Sequence, residues 1–450
     1  MKKQMSTKVV SMTEGKIWKK LLLFSIPLMM GSFFQQLYNT ADSIIVGNYV
    51  GKEALSAIGT TDNLINTFIG FFMGLSTGAG IIISQYFGAK DEKNVQIAVN
   101  TTIGLTFVMS VICTVCALGF RTQMLKLMNT PAEVFVQADA YLRIYFLGVT
   151  GLLFYNMGAG ILRAVGDSRR PLYFLIFSTV LNIVLDLIFV AGFSLGVEGA
   201  AYATVISQGA SAVLVMIVLS RERASYRVFW NRIRLNPEMI GKIVRVGLPM
   251  ALQSAVVSFS NVFVQSYINH FGVAAMAGWL AYGKVDKFCL LPIQSLSLGL
   301  MTFVGQNYGA KRYDRIRKGI RTGLTMCFGI AICMIILINL FAESLVSMFI
   351  QSPDVVKFGT LFIHIEMPFY LALCVNSVYD STLRGIGMTK GPMLIMMINS
   401  ILFRQIYLFV VSRVSESMIP IVLGYPLGWI LCSVMLVLYY KHHCSSAYKE

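Results

Sequence analysis

Apolar runs of about twenty residues recur twelve times along this chain, and each is long enough to cross roughly 30 Å of hydrocarbon as a helix. They lie near 20–46, 54–83, 97–119, 139–160, 171–192, 198–219, 243–269, 274–304, 319–341, 360–383, 392–412 and 418–440. The alternating ten-residue segments of a membrane β-barrel are not seen. Only 13% of residues are charged and the mean hydropathy is +0.69, where a soluble domain carries roughly 25% charged residues. The fold class implied is all-α integral membrane with twelve transmembrane helices. The leader, 1–19, is basic and polar, and no small-residue cleavage site follows the first run, so that run is expected to stay as an uncleaved helix.

The net charge of +16 is explained by where the basic residues sit. Most of the 37 Lys and Arg fall in the leader, the even-numbered loops and the tail. That asymmetry places both termini in the cytoplasm. The stretch SRERASYRVFWNRIRLNPEMIGKIVR then reads as a cytoplasmic linker at the anionic leaflet surface, and nucleic acid is not an expected partner. The eight cysteines lie mostly inside apolar runs, which argues against a disulfide framework. Cys113 and Cys116 have CxxC spacing but sit mid-span with no second pair nearby, so they are read as small apolar filler. The tail motif HHC, 442–444, is read as a solvated end rather than a metal site. No metal centre and no cofactor are expected.

Shifted by 221 residues, ILRAVGDSRRP (161–171) aligns with TLRGIGMTKGP (382–392), and SQYFGAK (84–90) with GQNYGAK (305–311). The expected organisation is therefore a leader (1–19), an N-lobe (20–220), a linker (221–242), a C-lobe (243–440) and a tail (441–450). Because each lobe has an even number of spans, both enter the membrane in one direction, and the pseudo-twofold axis should run along the membrane normal. Two such lobes suit alternating access.

The copies differ at informative places. Asp42 aligns with Phe263, Asn182 with Phe403 and Asp186 with Tyr407. A carboxylate at the centre of a spanning helix costs roughly 2.5 to 3.5 kcal/mol, so residues present in one copy only are better explained as a site than as packing. Counted from the glycines that end their runs, Asp42, Asp186 and Thr204 lie roughly 7 to 9 Å below the outer surface, at one depth. Asn182 and Asp186 are one turn apart on a single helix face. Two carboxylates, a carboxamide and a hydroxyl supply the hard oxygens that suit Na⁺, or a carboxylate pair able to hold a proton.

The duplicated twelve-span layout, LYNTADSIIVGNYVGKEALSAIG, SQYFGAKDEK with its copy GQNYGAKRYDR, NMGAGILRAVGDSRRP and GVEGAAYATVISQ together resemble the multidrug and toxic compound extrusion (MATE) transporters across essentially the whole chain. Within that family the chain is similar to the bacterial and archaeal subgroup whose cation site lies in the N-lobe. The resemblance implies a cation or proton site at Asp42, Asn182, Asp186 and Thr204, with the backbone carbonyl of Ala200 as a further ligand. Gln35 and Tyr38 match polar neighbours of that site, and Pro27 matches a proline at which the first helix bends. The family's other pattern, an acid on the seventh span, has no match here, where only Gln253, Asn261 and Gln265 occur.

Asn156 in FYNMGAG is read either as a substrate contact or as helix packing. Lys284, Asp286 and Lys287 form a charge cluster that partly neutralises itself, read as a structural ion network with a second proton-responsive site as the alternative, and Arg404 is expected to meet Glu366 or Asp380. Neither HExxH nor GxSxG occurs, and no enzyme activity is expected. The reading that follows is a monomeric antiporter of the cell membrane that exports amphipathic, cationic, drug-like compounds while Na⁺ or H⁺ enters. The alternative is a lipid-linked precursor flippase of similar fold.

Overall fold

A computed structural model describes residues 11–128 and 130–444. Most of the leader (1–10) and the end of the tail (445–450) lie outside the described residues. All twelve apolar runs are helical, and among the described residues there is no strand. The helices of the first half are α1 (Ile17–Tyr49), α2 (Lys52–Gly88), α3 (Glu92–Leu127), α4 (Ala132–Leu147), α5 (Val149–Ala164), α6 (Arg169–Asp186) and α7 (Gly196–Arg221). Those of the second are α8 (Pro237–Asn269), α9 (Val273–Gly309), α10 (Tyr313–Leu340), α11 (Ala342–Ser347), α12 (Pro353–Glu366), α13 (Tyr370–Gly385), α14 (Lys390–Met397), α15 (Arg404–Val414), α16 (Met418–Val422) and α17 (Gly424–Cys444). Eleven helical stretches are long and apolar enough to span singly, and α4 with α5, bent by 50°, makes a twelfth. The helices run past the apolar runs at both ends, because intrahelical hydrogen bonds are still needed at the headgroup level where polar side chains return.

The repeat is visible in the backbone of the turns. Lys90 and Lys311 both adopt positive φ, 60° and 56°, and each is followed by an amide that reaches back to the helix just ended: Asp91 to Tyr86 and Arg312 to Asn307. Asp91 then caps α3 by accepting from the Asn94 amide at 3.1 Å. Gly166 and Gly387, also 221 apart, take φ of 96° and 89° in the second motif pair, a conformation that a β-carbon would strain. The repeated motifs are thus turns that need a left-handed residue at a fixed place.

The chain forms two compact units. One holds Pro27–Leu248, and the other holds Met12–Ile26 together with 249–444. The boundaries fall at Pro27, inside α1, and Pro249, inside α8. A proline lacks the N–H that the preceding turn would accept, and at each of these breaks the chain passes from one unit to the other.

In the first unit α5 packs closely along α7. A β-carbon on Gly151 would stand 2.9 Å from the Gly209 Cα, and one on Gly148 would meet Val205 at 2.1 Å. Small residues let these backbones approach, which is how helices gain dispersion contact in lipid. Gly148 is also where α4 ends and α5 begins. On α2, a β-carbon on Gly78 would stand 2.6 Å from the Gly247 Cα and one on Gly247 would stand 3.0 Å from the Gly74 carbonyl, while Gly70 faces open space. The linker is anchored to α3, with Gln96 donating to the Arg227 carbonyl, the Phe229 amide donating to Asn100, and Thr101 donating to the Arg234 carbonyl. Within the linker, Tyr226 and Val228 are buried.

The second unit holds the leader in the same manner. The buried Met12 donates its amide to Gln306, and its carbonyl accepts from Asn307 and Arg315. Arg312 donates to the Thr13 carbonyl at 2.7 Å. These contacts come from the repeated GQNYGAKRYDR segment.

Candidate functional site

Serine rungs fix α6 against α7. Ser178 donates to the Ser207 carbonyl at 3.0 Å, and Ser211 donates to the Phe174 carbonyl at 3.2 Å. One turn further along, this pairing carries Asn182 and Asp186 on α6 and Thr204 on α7. Asp186 is the last residue before a π-helical stretch, Leu187–Gly192. The extra residue per turn there breaks the regular ladder, a distortion found often at functional sites.

Onto this frame α1 brings Tyr38 and Asp42. The Tyr38 hydroxyl donates to Thr204 Oγ1 at 3.0 Å and lies within electrostatic reach of both Asp42 and Asp186. Asp42 and Asp186 are close enough to couple directly. Burial is nearly complete: Asn182 and Asp186 have no exposed surface, Thr204 keeps 3% and Asp42 keeps 6%. Ala200 is wholly buried one turn before Thr204.

The polar atoms here are poorly served by the protein. Asp42 Oδ1, both Asp186 oxygens and both side-chain polar atoms of Asn182 have no hydrogen-bond partner among the described residues. Ser43, a natural candidate to satisfy Asp42, turns back to the Asn39 carbonyl of its own helix. Each buried polar atom left so costs about 1 to 3 kcal/mol. No Lys or Arg contributes to the electrostatics of the Asp42–Asp186 pair. A group of hard oxygens, buried, acidic and lacking donors, can take a proton between the two carboxyls or a desolvated monovalent cation.

Three neighbours escaped the sequence reading. Tyr141 and Tyr145 of α4 are buried and stacked 6.1 Å apart, and Tyr141 feels the charges of Asp42 and Asp62. Asp62, on α2, also acts on Asp42 and Tyr145. The tyrosines looked like core residues at helical spacing. Asp62 was legible as a second carboxylate inside an apolar run. Gln35 is exposed. Asn156 donates to the Leu152 carbonyl of its own helix and lines a tight apolar crevice with Phe72 and Met109.

The second unit has its own polar cluster. Tyr282 donates to Glu366 at 2.7 Å and to Asp286 at 3.4 Å, and Tyr370 also donates to Asp286. The Arg404 guanidinium lies 4.3 Å from the Tyr425 ring, donates to Asn261 at 3.1 Å, and interacts electrostatically with Glu366. Asp380 is taken by Arg384 at 2.9 Å, so Glu366 is the acid that Arg404 faces. At 284–287, Lys287 acts electrostatically on Asp286, while Lys284 lies over the Phe349 ring and Asp286 accepts from the tyrosines. Among the described residues, no group of three or more metal-ligating side chains is assembled.

Comparison with known proteins agrees with this architecture. The chain is 28% identical over 437 residues to the probable multidrug resistance protein YoeA of Bacillus subtilis, covering 95% of this chain and 94% of that one. It is 24% identical to the multidrug export protein MepA of Staphylococcus aureus over 84% of each chain. A MOP superfamily transporter from Pyrococcus furiosus superposes with a TM-score of 0.91 at 24% identity, over 99% of both chains. An outward-facing multidrug resistance MATE family transporter gives the same score, identity and coverage. The sequence model of the MatE family matches twice, at 27–188 and 249–410, once in each copy of the repeat. With its all-helical twelve-span fold and a family match in both halves, the chain belongs to the MatE family of multi-pass membrane transporters.

Proposed function

We propose that this transporter is a secondary multidrug antiporter that exports amphipathic, cationic organic compounds in exchange for Na⁺ or H⁺. The observation that carries the proposal is the buried Asp42–Asp186 pair, with Asn182, beside the Tyr38–Thr204 hydrogen bond and without a protein cation. The names of the YoeA and MepA relatives support the multidrug reading.

The coupling is electrostatic. With Asp42 and Asp186 ionised, the first unit presents uncompensated negative charge that favours a cationic compound. A proton or Na⁺ arriving at the pair cancels that charge, so organic cation and coupling ion compete and exchange follows. Asn182 and Thr204 supply neutral oxygens to the incoming ion. Tyr38 holds Thr204 in place through its hydroxyl. Ala200, wholly buried one turn from Thr204, is placed to add a carbonyl. Pro27 stands at a unit boundary, where a bend in α1 would shift Tyr38 and Asp42 relative to α6 and α7. The protein works as a monomer in the cell membrane with both termini in the cytoplasm, as the distribution of Lys and Arg supports.

Proteoliposomes loaded with a fluorescent organic cation test this. An imposed Na⁺ or proton gradient should drive the compound uphill in the wild type, and Asp42→Asn or Asp186→Asn should abolish that drive. Uphill transport that survives both substitutions would refute the site.

A further inference from the structure

We propose that the seam between α5 and α7 is a binding groove for one anionic glycerophospholipid of the cytoplasmic leaflet. A cavity of about 540 Å³ opens there at the side of the first unit, walled by Gly151, Phe154, Gly209 and Met216 and ended by Arg221 and Trp230. From Gly209 to Arg221 the groove follows α7 for roughly 18 Å, slightly more than one leaflet of a roughly 30 Å hydrocarbon core. That is the reach of one acyl chain running from the bilayer midplane to the headgroups.

The concave wall comes from the glycines. Gly151 lets α5 touch the backbone of α7, whereas a β-carbon on Gly209 would meet nothing within 4 Å. Gly209 therefore leaves open space where a side chain would project. Val213 and Ile217, exposed on the same helix, continue the apolar wall.

The polar end fixes the choice of occupant. Trp230 donates its indole N–H to Ser220 at 2.9 Å, which holds the ring at the mouth, the level at which tryptophan belongs in a bilayer. Arg221 is exposed in the last turn of α7. The acid beside it, Glu222, is already bound by Arg170 at 2.7 Å, so the Arg221 charge is not cancelled by its neighbour. Arg223, Arg227 and Arg232 are exposed on the adjoining linker. An apolar channel one leaflet long, with uncompensated guanidinium groups at its polar end, complements a fatty chain attached to a phosphate. The proposal relies on the orientation given above only for naming the leaflet.

Native mass spectrometry of the full chain in neutral detergent, titrated with phosphatidylglycerol or phosphatidylcholine, tests the groove. One phosphatidylglycerol should bind, about tenfold more tightly than phosphatidylcholine. Gly209→Leu, which fills open space, should remove that adduct, and Val213→Trp, one turn along the same wall, should do the same if the first variant is poorly folded. Arg221→Gln should reduce the preference for phosphatidylglycerol to that for phosphatidylcholine, while Arg143→Gln, at an exposed arginine of α4 that does not line the groove, should leave it unchanged. Equal binding of the two lipids by the wild type, or an undiminished adduct in both filled variants, would overturn the proposal. So would a dimer, or a bound organic cation, that disappears in the filled variants in place of the lipid. Micelles are blind to topology, so failure to bind would condemn the groove whatever the orientation. A linker tag accessible from outside intact cells would overturn the leaflet assignment alone.

Discussion

In the first unit the acids Asp42 and Asp186 meet no protein cation, whereas in the second unit Asp286 and Glu366 are met by tyrosine hydroxyls, with Lys287 acting on Asp286 and Arg404 on Glu366. The two clusters lie on duplicated helices, yet their polar residues occupy different places in the repeat. Asp42 aligns with Phe263 and Thr204 with Tyr425, while Glu366 aligns with Tyr145 and Arg404 with Ile183. One copy of the fold has kept carboxylates that need something from outside. The other meets its carboxylates in part from within, through Tyr282 and Tyr370, although Glu366 Oε1 lacks a hydrogen-bond partner among the described residues. Burial of charge is common to both, so burial alone does not mark a site; the missing internal partner does.

The largest expected effect separates the clusters by function. Asp186→Asn should reduce gradient-driven flux by at least about 100-fold, the scale of removing a charge needed for coupling, while Glu366→Gln keeps it within about twofold. Initial rates in proteoliposomes read both, and equal losses would erase the distinction. The next effect separates them by stability. Arg404→Met removes the guanidinium that acts on Glu366 and donates to Asn261 and should cost about 2 kcal/mol, seen as a lowered midpoint in thermal unfolding of the purified protein. Asp186→Asn should instead raise that midpoint, because it removes one of two buried carboxylates that repel each other. A smaller change is expected for Tyr38→Phe. Losing one hydrogen bond to Thr204 is worth about 1 kcal/mol, or roughly fivefold in the affinity of the coupling ion, with the maximum rate preserved. Asp62→Asn should change that affinity by only about twofold, because the Asp62 side chain is exposed and its charge is partly screened.

Much of the fold could be read in the sequence because a bilayer demands long apolar runs, and a duplication repeats them with fixed turn chemistry. Lys90 with Lys311 and Gly166 with Gly387 show why the motifs aligned: each pair sits in a left-handed turn. What remained hidden depends on packing. The break at Gly148 follows from the close approach of Val205, and the π-helical stretch after Asp186 has no composition signal. The passage of Met12–Ile26 into the second unit could not be inferred from hydropathy either.

The candidate site was legible where topology gave depth. Helix direction and distance from the ends selected Asp42, Asp186 and Thr204, and the spacing of Asn182 added the fourth. Lateral contact was not readable, and so Tyr38 was placed only by resemblance while Tyr141, Tyr145 and Asp62 were passed over. Conversely, Gln35 and Asn156 are polar residues in apolar helices, yet one is exposed and the other satisfies its own helix.

The central claim is that coupling ion and organic cation compete at the Asp42–Asp186 pair. Displacement of a bound fluorescent organic cation from detergent-solubilised protein, titrated with Na⁺ at fixed pH and with acid at fixed Na⁺, tests it most directly. The account predicts that at least one of the two ions displaces the compound from the wild type, and that Asp42→Asn and Asp186→Asn abolish that ion dependence. Displacement that persists unchanged in both variants would contradict it.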